Sequence, residues 1–597
     1  MTLRDLRLGP LIMAVWLTGF TPGEEPDISS RDILHHIKFL ASDELEGRRA
    51  GTRGGRKASR YIMREFRSYG LKPTGGRYSF KSPFEFAAGV RLGRRNRLEV
   101  LTGEGTFKLE LGKDFHPLGF SATGRTGGDV VFVGYGIESD GLNYHDYAGV
   151  DVEGKVVIVL RYTPDGTNPH GSFGKYSPLR YKAMEARERG AAAVVFVTGP
   201  ADEDDEDYLM SVKYDRSFSG SGIPVVGLTQ RWVKVLFNLA SRNLQEVQGR
   251  INEEKLPHSF ALPASMFLET SVEKVRRTTR NIVGLVKGTE PGFLDEYVVV
   301  GAHYDHLGLG GEGSLAPDTV AVHNGADDNA SGTAGLLELA EWFSQNPQKR
   351  NLLFVAFGAE ELGLLGSSDF VANPPVPLGK MVAMLNMDMI GRMKDSTLVV
   401  GGVGTSPIWG DLVGEKAGEF GLTAKFDEAG YGASDHQSFY LKGIPVLFLF
   451  TGIHEDYSRP SDDWQKINAA GEERVVKLAR AILEDVANRE TPPGFTKVEQ
   501  AEPTRGGFPV YLGTIPDYSA TDVEGMKLSG VREGGPADKG GLKGGDIIIK
   551  FGGKEVKNIY DFMYALQEAK ADVPVIVAVR RGEEVVEMNV VPGRRRD

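Results

Sequence analysis

Five short segments place a histidine or a carboxylate where an apolar run ends or a glycine-bounded turn begins. His303 closes the run in VVVGAHYDHLG, Asp327 and Asp328 lie in NGADDNASG, and Glu360 and Glu361 lie in FGAEELGLLGS. Asp388 closes a further run in LNMDMIGR, and His454 follows PVLFLF by four residues. Imidazole and hard oxygen donors suit zinc, with manganese or cobalt as alternatives. The chain has no cysteine, which excludes a thiolate nucleophile, Cys-ligated zinc and disulfides. Two ions roughly 3.5–4 Å apart and bridged by one carboxylate would polarise a carbonyl, activate a water and hold a leaving group. The adjacent pair Glu360–Glu361 suits a division of labour, one carboxylate ligating while the other takes a proton from water. The chemistry these types point to is metal-assisted hydrolysis.

Such residues need a rigid frame. VVVGAH (298–303), NLLFVAF (351–357), MVAMLNMD (381–388) and PVLFLF (445–450) are continuous apolar runs, as strands buried on both faces should be. GTAGLLELAEWFS (332–344) and ERVVKLARAILEDVAN (473–488) have helical period. The segment 281–490 therefore predicts an α/β fold with a mainly parallel, mixed sheet flanked by helices. In open sheets of this kind functional residues gather at the carboxyl ends of strands, which is where these acidic and imidazole positions fall.

The rest of the 597 residues is enough for three or four domains. A formal net charge of −11, with only RRR at 594–596 as a basic block, argues against non-specific nucleic-acid binding. Residues 1–24 read as an export signal, with Arg4 and Arg7 before an apolar run from Leu8 to Phe20 too short to span a bilayer. Phe20 stands where a lipoprotein box would need its cysteine, and no other membrane span is expected, so the protein is expected in the periplasm or outside the cell. Residues 25–115 carry two predicted helices between 30 and 70, separated by GRRAGTRGG (47–55), a basic loop expected to be solvated. From 116 to 262 the texture turns to strands, DVVFVGYGI, KVVIVL, AAAVVFV and GIPVVGLT, with one helix at 180–190. The acidic run 202–207 lacks the spacing of a calcium loop and reads as solvated. A linker over 491–504 leads to a β-rich unit, 505–597, with a helix at 558–569.

GAHYDH, GADDNASG, GAEELGLLGS and NMDMIGR, in this order, resemble the co-catalytic di-zinc aminopeptidases, the family that includes glutamate carboxypeptidase and the transferrin receptor. The resemblance covers roughly 281–470 together with the two N-terminal helices, and it implies a zinc exopeptidase fold in 263–490. It implies that His303 and Asp388 bind one zinc, Asp328 bridges, Glu361 binds the second zinc, Glu360 is the general base and Asp305 orients His303. It also implies a cis peptide bond between Asp328 and Asn329. The last imidazole ligand of the family falls in this chain on Ser458, in DYSRPSDDW. A hydroxyl is a poor zinc ligand, so the second metal position is expected to be weak unless His454 or His436 serves it. His306 and His323 are expected to line the cleft, and His35 and His36 to be surface or satisfied core positions.

Residues 116–262 resemble a protease-associated (PA) domain, and 505–597 a PDZ domain with a β-barrel-like core. Tyr511, Leu512, Gly513 and Thr514 then stand at the loop that receives a peptide C-terminus, the peptide adding as a strand. The implied function is an exported zinc exopeptidase that removes N-terminal residues from peptides. Two alternatives share these features: a single-zinc acyltransferase like glutaminyl cyclase, and a weakened peptidase that binds peptides through its PDZ tail.

Overall fold

The computed structural model describes residues 27–594 apart from short stretches, the longest being 213–219 and 499–509. The expected export signal and most of the acidic run 202–207 lie outside the described residues. Among the described residues no helix is long and apolar enough to cross a membrane.

The sheet that carries the site has four parallel strands at its centre, in the order Asn351–Phe357, Tyr297–His303, Met381–Met387 and Val446–Phe450. These are the apolar runs of the sequence, and the first three are buried almost throughout. Antiparallel neighbours close both sides. Val272–Val286 pairs with Asn351–Phe357, and Thr397–Gly401 pairs with Val446–Phe450. The helices Ser30–Leu40, Gly332–Gln345 and Ala469–Asn488 pack on the sheet as part of one apolar core. Ser29 caps the first of them by accepting from the Asp32 N–H, and Ile33, His36, Ile37 and Leu40 form its buried face. His36 is a satisfied core residue, bonded to the Tyr61 hydroxyl at 2.6 Å.

The inserted unit is wider than 116–262. Its eight-stranded sheet also contains Arg97–Thr102, Gly105–Lys108 and Phe260–Thr270. Only Ser271 separates Phe260–Thr270 from Val272–Val286, so the chain passes directly from the inserted sheet into the sheet that carries the site. Residues 272–282 pair with Lys81–Leu92, a strand inside 25–115 that lies beyond the two predicted helices. Strand pairing across nearly two hundred residues leaves no local pattern that a sequence window could detect.

The C-terminal unit is a sheet in the order Thr514–Pro516, Met526–Val531, Ile547–Phe551, Val575–Arg581, Glu584–Val590, with the helix Ile559–Glu568 across it. One face of that helix fills the unit's own core through Phe562, Ala565 and Leu566. Its other face docks on the inserted domain's helix Leu179–Glu188. Asp561 pairs with Arg187 at 3.2 Å, and Tyr564 meets Tyr181 edge-on at 5.5 Å.

Candidate metal centre

His303 is the last residue of its strand, and the turn that follows, Tyr304–Asp305–His306, is pinned on three sides. The Tyr304 N–H donates to Phe357 O, its hydroxyl donates to Arg280 O, and Oδ1 of Asp305 accepts from the Glu360 N–H. The turn carrying Asp328 is held by Asp462, whose Oδ2 accepts from the N–H groups of Asp327 and Asp328 at 3.0 and 3.1 Å. The Asp328–Asn329 peptide bond is cis. Asn329 ties this turn to the end of the next strand, donating to Met387 O and accepting from the Met389 N–H. Asp388 follows that strand, and its Oδ2 accepts from the Ser434 hydroxyl at 2.7 Å.

These turns meet in one buried pocket. His303 Nε2 lies 3.2 Å from Asp388 Oδ1, 3.4 Å from Asp328 Oδ1 and 3.8 Å from Glu360 Oε2. The other oxygen of Asp328 lies 3.9 Å from His306 Nδ1, which in turn is 2.6 Å from Glu361 Oε1. Two groups result, His303–Glu360–Asp388 and His306–Asp328–Glu361, and within each the ligand atoms lie within 4.8 Å of one another. Asp328 faces both groups, one oxygen to each.

The electrostatics of the pocket call for a cation. Five carboxylates, Asp305, Asp328, Glu360, Glu361 and Asp388, share it with two imidazoles. Burial, and after it the neighbouring carboxylates, push Glu360 and Asp328 well above the usual carboxylate range. Burial, with the Glu361 carboxylate adding to it and His303 opposing it, pushes Asp305 up to about 6. Burial opposes charge on His303, yet Asp388, Glu360 and Asp328 outweigh it and hold the ring protonated well above the imidazole range. Glu361 stays low despite burial because His306 faces it, and Asp388 stays low because of His303 and Ser434. The distances also fit a metal. Donors bound to one tetrahedral ion at about 2.0–2.1 Å stand about 3.3 Å apart, and His303 Nε2 is 3.2 and 3.4 Å from its two aspartate oxygens.

Residues 281–483 match the model of peptidase family M28, 126–236 that of the PA domain and 500–591 that of the PDZ domain. The similarity to peptidase family M28 covers the segment that carries the pocket. Aminopeptidase YwaD of Bacillus subtilis is 27% identical over 370 residues, 60% of this chain and 68% of that protein. An aminopeptidase of Pseudomonas aeruginosa is 25% identical over 433 residues, 70% of this chain and 69% of that protein. The probable lipoprotein aminopeptidase LpqL of Mycobacterium tuberculosis is 26% identical over 445 residues, 71% and 74% of the two chains. Among solved structures, an aminopeptidase from Aneurinibacillus sp. strain AM-1 is similar at 22% identity with a TM-score of 0.46, covering 81% of this chain and 98% of that one.

The pocket gathers His303, Asp305, Asp328, Glu360, Glu361 and Asp388. His454 lies elsewhere. Its Nε2 is 3.2 Å from Asp327 Oδ2, and the opposite oxygen of Asp327 accepts from the Gly391 N–H, so this pair belongs to neither triad. His436 stacks on Phe448 with ring centroids 4.5 Å apart, and burial lowers it to about 4. Asp305 reaches His303 chiefly through its backbone. The ring Nδ1 is 3.3 Å from Asp305 O but 4.0 Å from the carboxylate.

Two residues of the pocket and its frame were not assigned to it from sequence. His306, expected only to line the cleft, belongs to the second triad; its spacing three residues after His303 was the available signal. Arg48, in the loop expected to be solvated, is completely buried. It donates to the carbonyl oxygens of Leu40, Tyr304, Asn324 and Gly325, holding the His303–His306 turn against the turn that carries Asp328. Burial lowers Arg48 to about 10, against the pull of Asp328 and Asp305.

Proposed function

We propose that the chain is an exported zinc aminopeptidase that hydrolyses N-terminal residues from peptides. The observation that carries this reading is Asp328, whose two oxygens face two separate imidazole–carboxylate groups. The aminopeptidase activity named for the relatives, each matched over about two thirds or more of its length, supports the reaction class. His303 and Asp388 would hold one zinc, Glu361 the other, and Asp328 both. Zinc there supplies Lewis acidity towards the scissile carbonyl and an attacking water. Glu360 stands beside this group, its Oε2 3.8 Å from His303 Nε2, where a carboxylate can accept a proton from water. It takes a proton from the water and returns it to the departing amine. Asp305, through the Glu360 N–H, keeps that carboxylate in place.

The leader read at residues 1–24 supports export. The strand Thr514–Pro516 is the edge of its sheet, and Gly513 beside it has φ +79°, a conformation that favours glycine. Both features support capture of a peptide C-terminus at Tyr511–Thr514 by strand addition.

The test is hydrolysis of leucyl-p-nitroanilide and of matched peptides with free and acetylated N-termini, after zinc reloading. Turnover confined to free N-termini is the expected result, and equal cleavage of acetylated peptides would exclude an aminopeptidase. Glu360→Gln should keep its metal and lose about 10²–10⁴-fold in kcat. Unchanged turnover would remove Glu360 as the base.

A further inference from the structure

We propose that His306 is the imidazole ligand of the second metal, so that both metal-binding histidines come from the single tetrapeptide His303–Tyr304–Asp305–His306. The proposal rests on the two-metal reading above and assigns the donor which that reading left open.

Four observations carry it. First, His306 Nδ1 points at Glu361 and at the Asp328 oxygen turned away from His303, at 2.6 and 3.9 Å. The three donor atoms lie within 4.8 Å of one another, a group that could hold one ion.

Second, the ring is built in rather than merely adjacent. His306 is buried, and its Cδ2 lies 2.4 Å from where a Cβ on residue 325 would stand, so only glycine there leaves room for the imidazole. Gly325 has φ +53°, and its carbonyl is held by Arg48, which also holds Tyr304 O. One buried guanidinium thus fixes the backbone on both sides of the ring.

Third, the competing histidines are engaged elsewhere. His454 faces Asp327, and His436 lies flat on Phe448. Neither joins a triad.

Fourth, the hydroxyl of Ser458 is a weak zinc donor. Its residue serves the neighbouring loop instead, its carbonyl accepting from the Leu315 N–H.

A consequence is that the two metal positions are mechanically linked. The strand end at His303 and the pinned turn after it set both imidazoles at once, and Asp305 between them sets Glu360.

The experiment uses the full chain, stripped with a chelator and reloaded with zinc or cobalt. Bound metal is counted by mass spectrometry, and affinities are measured by competition with a chromophoric chelator. The wild type should hold two ions. His306→Gln, which fills the same space, and His306→Ala should each hold one, with affinity at the second site reduced at least roughly 100-fold, beyond what loss of an outer partner does. His454→Gln should still hold two. The cobalt absorption band of the second site should be missing from the His306 variants only. Thermal unfolding of the metal-free proteins controls for folding, and His306→Asp, which restores a donor, should regain the second ion. Two ions at wild-type affinity in His306→Gln overturn the proposal, as does loss of an ion in His454→Gln alone. Fewer than two ions in the wild type overturns the two-metal reading itself, which separates that failure from an error about His306.

Discussion

The main-chain N–H of Glu360 donates to Oδ1 of Asp305 at 3.0 Å, whereas that carboxylate lies 4.0 Å from the ring of His303. Asp305 therefore positions the proposed base more directly than it positions the metal ligand. Its backbone carbonyl, 3.3 Å from His303 Nδ1, does the latter and survives any side-chain change. Asp305→Ala should keep two zinc ions and lower kcat about tenfold while leaving KM nearly unchanged. Loss of zinc in parallel with kcat would show that the carboxylate acts on His303 instead.

Arg48 is the hub between the two halves of the site. Replacing it by Met leaves four carbonyl oxygens without their donor, and each buried acceptor so stranded costs about 1–3 kcal/mol. Arg48→Met should lose at least about 3 kcal/mol of stability in urea unfolding of the metal-free chain. It should also weaken both metal sites together, because Tyr304 and Gly325 flank both. Selective weakening of one site would contradict this placement.

Ser458→His is expected to leave the metal count at two, since His306 already faces Glu361. Metal analysis of the variant checks this. A third ion, or a markedly tighter second one, would mean that the second site lacks a donor as it stands.

His436 gives the site region an acid limit. Its folded pKa, lowered by burial to about 4, lies below the unfolded value of about 6.5. Between these values the unfolded chain binds more protons, so stability rises with pH across that window and is lost as pH falls through it. The full shift corresponds to about 3 kcal/mol. His436→Phe keeps an aromatic ring against Phe448 without the titration, so its unfolding free energy should fall less than that of the wild type between pH 7 and pH 4. Equal losses would exclude His436 as the titrating group.

The frame of the site was legible because its central strands are parallel and buried on both faces, which forces long apolar runs such as Val298–Ala302 and Leu352–Phe357. The structure brings the residues at the ends of those runs, His303 and Asp388, to within 3.2 Å of each other. What stayed hidden depends on contacts distant in sequence. Arg48 looks like any loop arginine until Tyr304 and Gly325, more than 250 residues away, close over it. His454 has a plausible spacing from its strand, but Asp327 takes it up on the far side of the turn. His306 follows two residues whose side chains are pinned in other directions, and only the positive φ of Gly325 reveals the space left for its ring.

The most direct test of the account is a crystal structure of the zinc-loaded chain with diffraction recorded on both sides of the zinc absorption edge. Two anomalous peaks are predicted on either side of Asp328, one against His303 and Asp388, the other against His306 and Glu361. A single peak, or a second peak at His454 and Asp327, would contradict it.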